Sequence, residues 1–202
     1  QGAFAQYMTI PKRCLIEAPK DMDPNHIALT EPAATVIHAI NIAVKESYLP
    51  IQECQVLVIG AGAIGLLTAL LLKSYGVKMQ VLETNLARHP CVKEHVGIDA
   101  INPMTQTLSS NNFDIVIDCV GSEKTSSLSF EKIKTGGVII NVGLQSWTSS
   151  INIRKLTLEE IKLIGCYTYS MVDFKSALKT IESGKFGNLS WIKELPLSDA
   201  NL

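Results

Sequence analysis

The chain has 202 residues, 47% hydrophobic and 18% charged, with a formal net charge of −1. That balance suits a buried sheet core and gives no electrostatic basis for binding nucleic acid or an anionic membrane. The longest apolar stretch, residues 61–72, is too short to span a bilayer. The five cysteines are scattered, odd in number and without a C-x-x-C pair, so neither a disulfide framework nor a zinc ribbon is indicated.

A reducing cytoplasm is the simplest setting, and no signal peptide is expected. The chain opens at Gln1 without an initiator Met and closes just after Ser198-Asp199, which reads as a helix cap with no helix behind it. An excerpt of a longer protein is expected.

In chain order, residues 4–10 (FAQYMTI) read as a strand closed by Pro11, and 14–17 as a short second strand. Residues 25–34 read as helical with an interruption at Pro32. Residues 35–45 carry apolar side chains at helical spacing. Residues 55–59 (QVLVI) form a β-branched apolar run typical of a buried strand, followed by Gly60, Gly62 and Gly65 as G-x-G-x-x-G. Helix formers run from Ala63 to a stop at Gly76, and a second apolar run, 77–82, ends at Glu83.

Beyond it, residues 86–95 predict a helix despite Pro90, stopped by Gly97. Residues 99–102 predict a brief strand, and 114–120 (DIVIDCV) a buried one. Residues 122–133 predict a helix capped by Ser122, and 138–142 a core strand entered through Gly136-Gly137. Residues 163–169 read as a strand, 171–183 as an amphipathic helix stopped by Gly184, and 191–195 as a last strand; 150–153 could be an edge strand. Alternation of strands and helices implies an α/β fold with a parallel sheet covered on both faces.

Strand, glycine turn, helix, strand and acid occur in the order that dinucleotide binding requires. Gly60 permits the turn, Gly62 lets the backbone approach a pyrophosphate, and Gly65 lets the helix pack closely on the sheet. The helix N-terminus offers free N–H groups and partial positive charge. Glu83 stands where a carboxylate accepts from the adenosine ribose hydroxyls and repels a 2′-phosphate, which favours NAD over NADP.

The succession GAFAQY, TEPAATVIHA, VLVIGAGAIG, VIDCVG, GGVIINVGL and IGCYTY resembles the medium-chain dehydrogenase/reductase family. Its nearest branch is similar to the zinc-dependent alcohol, sorbitol and threonine dehydrogenases. The resemblance implies a Rossmann doubly wound parallel sheet with partial flanking catalytic-domain segments: 1–35 the tail of an N-terminal catalytic segment, 36–166 the NAD-binding domain, and 167–202 a truncated return segment. It implies that Gly60, Gly62, Ala63, Ile64 and Gly65 form the pyrophosphate loop, and that Glu83 and Arg88 flank the adenosine ribose. Val120 and Gly121 fall beside the adenine, and Val142, Gly143 and Leu144 near the nicotinamide carboxamide.

The same resemblance implies that Glu31, in TEPAA, sits at a catalytic zinc, directly or through water, and that the complete protein is a homodimer or tetramer acting on a small alcohol or polyol. The family's other zinc ligands and its structural-zinc loop have no counterpart here, and Thr168 stands where sorbitol dehydrogenases carry Arg, which argues against that specific substrate. The catalytic residues are unassigned.

Other readings of these residues stay open. Glu31 could be a helix-start acid and Arg88 a solvated helix residue. His38 reads as a packed, hydrogen-bonded histidine; His26, His89 and His95 read as surface residues. Cys119 reads as a small buried hydrophobe, and Trp147 and Trp191 as packing residues. A non-catalytic nicotinamide-binding module and a zinc-free quinone-type reductase are the alternatives to a zinc-assisted dehydrogenase.

Overall fold

The computed structural model describes residues 5–108 and 112–199. Its helices are α1 (Pro24–Ala28), α2 (Thr30–Glu46), α3 (Ala63–Ser74), α4 (His89–Cys91), α5 (Glu123–Lys132), α6 (Ile153–Leu158) and α7 (Met171–Glu182). Its strands are β1 (Gln55–Ile59), β2 (Lys78–Leu82), β3 (Phe113–Asp118), β4 (Ile133–Asn141) and β5 (Lys162–Gly165). The strands form one parallel sheet in the order β2-β1-β3-β4-β5, and a parallel bridge from Leu82 to Ile101 extends it beyond β2. The chain reverses direction across the sheet between β1 and β3, so a crevice opens at the carboxyl ends of those two strands.

Both faces of the sheet are covered. On one, Val56, Val58, Ile115 and Ile140 pack with α2, α3 and α7 through residues such as Ile37, Leu67, Leu71 and Ile181. On the other, Leu57, Val116 and Ile139 meet Phe130 of α5, with Leu156 of α6 against them. The central strands are therefore apolar in succession rather than alternating, as a doubly covered parallel sheet requires.

Several boundaries differ from the expectations. The described part of residues 4–10 is irregular, and 12–14 form a 3-10 turn in place of strand 14–17, since neither segment pairs with the sheet; residue 4 lies outside the described residues. Pro32 does not interrupt its helix. It falls in the first turn of α2, where its missing N–H is one that would lack an intrahelical partner anyway. Residues 86–96 are a succession of 3-10, α and π turns ended by left-handed Gly97 rather than one helix. Residues 150–152 are irregular, and α6 follows because the Asn152 side chain accepts from the Lys155 N–H at 2.9 Å. Residues 191–195 are not a strand.

α7 packs along α2. Asp173 Oδ1 accepts from Asn41 Nδ2 at 3.1 Å, and Oδ2 accepts from Ser170 Oγ at 2.6 Å and lies 3.1 Å from His38 Nδ1. His38 is thus the packed, hydrogen-bonded residue expected of it.

Candidate dinucleotide site

The site is built at the carboxyl edge of the sheet. Gly60 leaves β1 with φ +91°, and its N–H donates to Leu82 O at 2.7 Å, which ties the turn to β2. α3 then starts at Ala63 with Gly62 as its cap, and no side chain caps that terminus, so its N–H groups face outward. Gly65 sits against the carbonyl of Gly60, where any β-carbon would overlap it. Ala63 is exposed and Ile64 half-buried at the start of the helix.

Glu83 follows β2 and is 5% exposed. Its Oε2 accepts from the Ala61 N–H at 2.8 Å and from Arg88 Nη1 at 3.2 Å; its Oε1 accepts from the Asn85 N–H at 2.7 Å. Burial alone would raise its pKa, but these donors outweigh burial and hold the carboxyl below its ordinary value. The acid is therefore charged and fixed beside the glycine loop. Arg88, whose side chain is half exposed, brings its guanidinium to the edge of Gly62 as well.

Asp118, at the end of β3, laces the next two loops together. Its Oδ1 accepts from the N–H groups of Val120 and Gly121 at 2.9 Å each, and its carbonyl accepts from Val142 at 2.9 Å and Gly143 at 3.0 Å. Gly121 and Gly143 lie so close that a β-carbon on either would strike the other loop's backbone. This brings Val120, Gly121, Val142 and Gly143 into one row with Gly60, while the Leu144 side chain is exposed. A cleft of about 760 Å³ opens beside Gly60 and Val120, lined also by Ile59, Leu82, Glu83 and Gln145 among others. A second groove, of about 710 Å³ between residues 15–20 and α7, touches none of these loops.

Glu31 belongs to α2 rather than to these loops. It is exposed in the first turn of α2, beside Tyr169, which follows β5; burial and the Glu31 carboxylate together raise the Tyr169 pKa. Among the described residues, no group of three His, Cys, Asp or Glu could hold a metal. These residues therefore do not fit a zinc ion on their own, since a catalytic zinc normally takes three protein ligands. No helix among the described residues is long and apolar enough to cross a membrane.

Three contributors escaped the sequence reading. Asp118 carried a local signal: an acid at the end of a buried strand, two residues ahead of a short glycine turn. Asn85 and His89 carried none, because their bonds to Glu83 arise from the loop's fold. His89 is not the surface residue expected, since its Nε2 lies 2.8 Å from Glu83 O.

The family described as zinc-binding dehydrogenase matches residues 63–183. Sorbitol dehydrogenase 1 of Saccharomyces cerevisiae is 25% identical over 91% of this chain and 54% of its own length. 2-Dehydro-3-deoxy-L-galactonate 5-dehydrogenase of Pseudoalteromonas atlantica is 28% identical over 98% of this chain and 59% of its own. The chain thus spans little more than half the length of these curated relatives. The solved structure of acetophenone reductase from Geotrichum candidum in complex with NAD has the same fold, with TM-score 0.76 at 22% identity over 85% of this chain and 49% of that one. With its glycine loop, buried acid and parallel sheet inside the matched fold, the chain belongs to the zinc-binding dehydrogenase family.

Proposed function

We propose that the complete protein is an NAD-dependent oxidoreductase that transfers a hydride between a secondary alcohol or polyol and the nicotinamide. The observation that carries the reading is the buried, charged Glu83 bonded to the Ala61 N–H of the glycine loop. A fixed anion there accepts from ribose hydroxyls and disfavours a 2′-phosphate. Gly60, Gly62, Ala63, Ile64 and Gly65 receive the diphosphate on the N-terminus of α3, with Glu83 and Arg88 at the ribose. Val120 and Gly121 border the adenosine side, and Val142, Gly143 and Leu144 the carboxamide.

When bound, the nicotinamide supplies a hydride acceptor at its C4. The chain's own part is to orient that ring and to narrow the cleft around it with the paired loops after β3 and β4. Zinc in the complete protein needs ligands beyond Glu31. Residues 1–35 and 167–202 belong to a catalytic domain split by the coenzyme domain, 36–166, and the protein assembles as a homodimer or tetramer. The five free thiols suit a reducing cytoplasm.

The test is turnover by the full-length protein, with NAD and a panel of secondary alcohols and polyols, followed by nicotinamide absorbance. Reduction of NAD with at least one polyol is expected. Saturable NADH binding without turnover of any alcohol or ketone would reduce the chain to a binding module.

A further inference from the structure

We infer that the loop after β2 is a clasp that positions Glu83, and that His89 is the positioning residue that closes it; this rests on the dinucleotide reading above. His89 Nε2 lies 2.8 Å from the main-chain oxygen of Glu83. A carbonyl only accepts, so Nε2 carries the proton and the imidazole donates. Asn85 shapes the turn that makes this reach possible. Its side chain accepts from the Ala87 N–H at 3.0 Å, its carbonyl accepts from the Arg88 N–H at 3.0 Å, and its own N–H holds Glu83 Oε1. The chain doubles back, and Arg88 and His89 arrive together on Glu83.

Glu83 is thereby fixed from two directions. Ala61, Asn85 and Arg88 set the carboxylate, while His89 sets the peptide plane from which the side chain springs. The Arg88 bond is half exposed and weakened by salt. The half-buried His89 bond to a neutral carbonyl is not, so it keeps the clasp closed at working ionic strength. An acid that must distinguish a ribose hydroxyl from a phosphate depends on that placement. The clasp therefore acts on cofactor selectivity through Glu83, without His89 touching the cofactor.

The experiment is a pair of fluorescence titrations, with NADH and with NADPH, on full-length wild type, His89→Leu and His89→Gln. Loss of one hydrogen bond predicts NADH binding weakened about fivefold to tenfold in His89→Leu. NADPH should weaken less, so the preference narrows, and His89→Gln, which keeps a donor at similar reach, should restore it. NADH affinity within about twofold of wild type in His89→Leu would overturn the inference. So would equal weakening of both cofactors with a lowered thermal midpoint in both variants, which marks a merely structural role. Failure of the wild type to bind either dinucleotide would overturn the cofactor reading and this inference with it; binding by wild type with no His89 effect would overturn this inference alone.

Discussion

Gly62 and Gly65 are three residues apart in one loop, yet substituting each by alanine should give opposite phenotypes. A β-carbon on Gly65 would overlap the Gly60 carbonyl oxygen and lie 2.8 Å from its carbonyl carbon, where carbon atoms rest at about 3.5–4.0 Å. Gly60 cannot retreat: its φ is +91°, its N–H is bonded to Leu82, and Val120 Cγ2 stands 2.6 Å from where its own β-carbon would be. Helix α3 must therefore slide off β1 by about 1 Å. Such overpacking costs about 1–3 kcal/mol, which for a chain of this size lowers the thermal midpoint by about 2–12 °C.

At Gly62 the nearest atom to an added β-carbon is Arg88 Nη1, 3.9 Å away at the end of a flexible side chain. Its φ of −69° and ψ of −172° suit alanine, so stability should change by less than about 1 kcal/mol. The new methyl faces the diphosphate, however, and NADH affinity should fall about 10- to 100-fold. Thermal unfolding and NADH titration on both variants decide the matter. A Gly62→Ala protein that melts as early as Gly65→Ala, or binds NADH as wild type does, would refute the reasoning.

Glu83 and Asp173 are both held below their ordinary pKa, each against a burial effect that would raise it. Their stabilisation is complete above the unfolded carboxylate value of about 4 and is lost as pH falls through the lower folded values. Glu83→Gln and Asp173→Asn should each flatten the acid limb of a stability-against-pH curve, and an unchanged slope would contradict this. Asp173→Ala should also cost about 1–3 kcal/mol in thermal or urea unfolding, because it strips partners from His38, Asn41 and Ser170 at the seam of α2 and α7. Burial pushes the Cys119 thiol up to about 12 and the Cys166 thiol up to about 11. Alkylation at mildly alkaline pH, read by mass spectrometry, should modify exposed Cys14 first and half-buried Cys119 and buried Cys166 far more slowly. Glu31→Ala in the full-length protein should lower bound zinc and turnover; unchanged metal content and activity would remove Glu31 from the metal site.

The coenzyme half was legible because its signals are local and coincide. Residues 56–59 are apolar on both faces, the glycines follow at once, and Glu83 follows the next strand; the observed β1, α3 and β2 fall where these patterns put them. The N-terminal segment misled because FAQYMTI becomes a strand only if a partner pairs with it, and among the described residues none does. Residues 150–153 were open to an edge strand, and there the Asn152 cap decided for α6. The clasp on Glu83 was out of reach. It depends on a turn that brings residues 85, 88 and 89 back onto 83, and no periodicity encodes that. Asp118 lay within reach, since its bonds to Val120 and Gly121 are confined to its own turn.

The central claim is that a nicotinamide dinucleotide lies across the glycine loop with its ribose on Glu83. Fluorescence titration of the full-length wild-type protein with NADH and, separately, with NADPH tests it most directly. Saturable NADH binding with much weaker NADPH binding is the predicted result. A preference for NADPH, or binding of neither, would contradict the role given to Glu83.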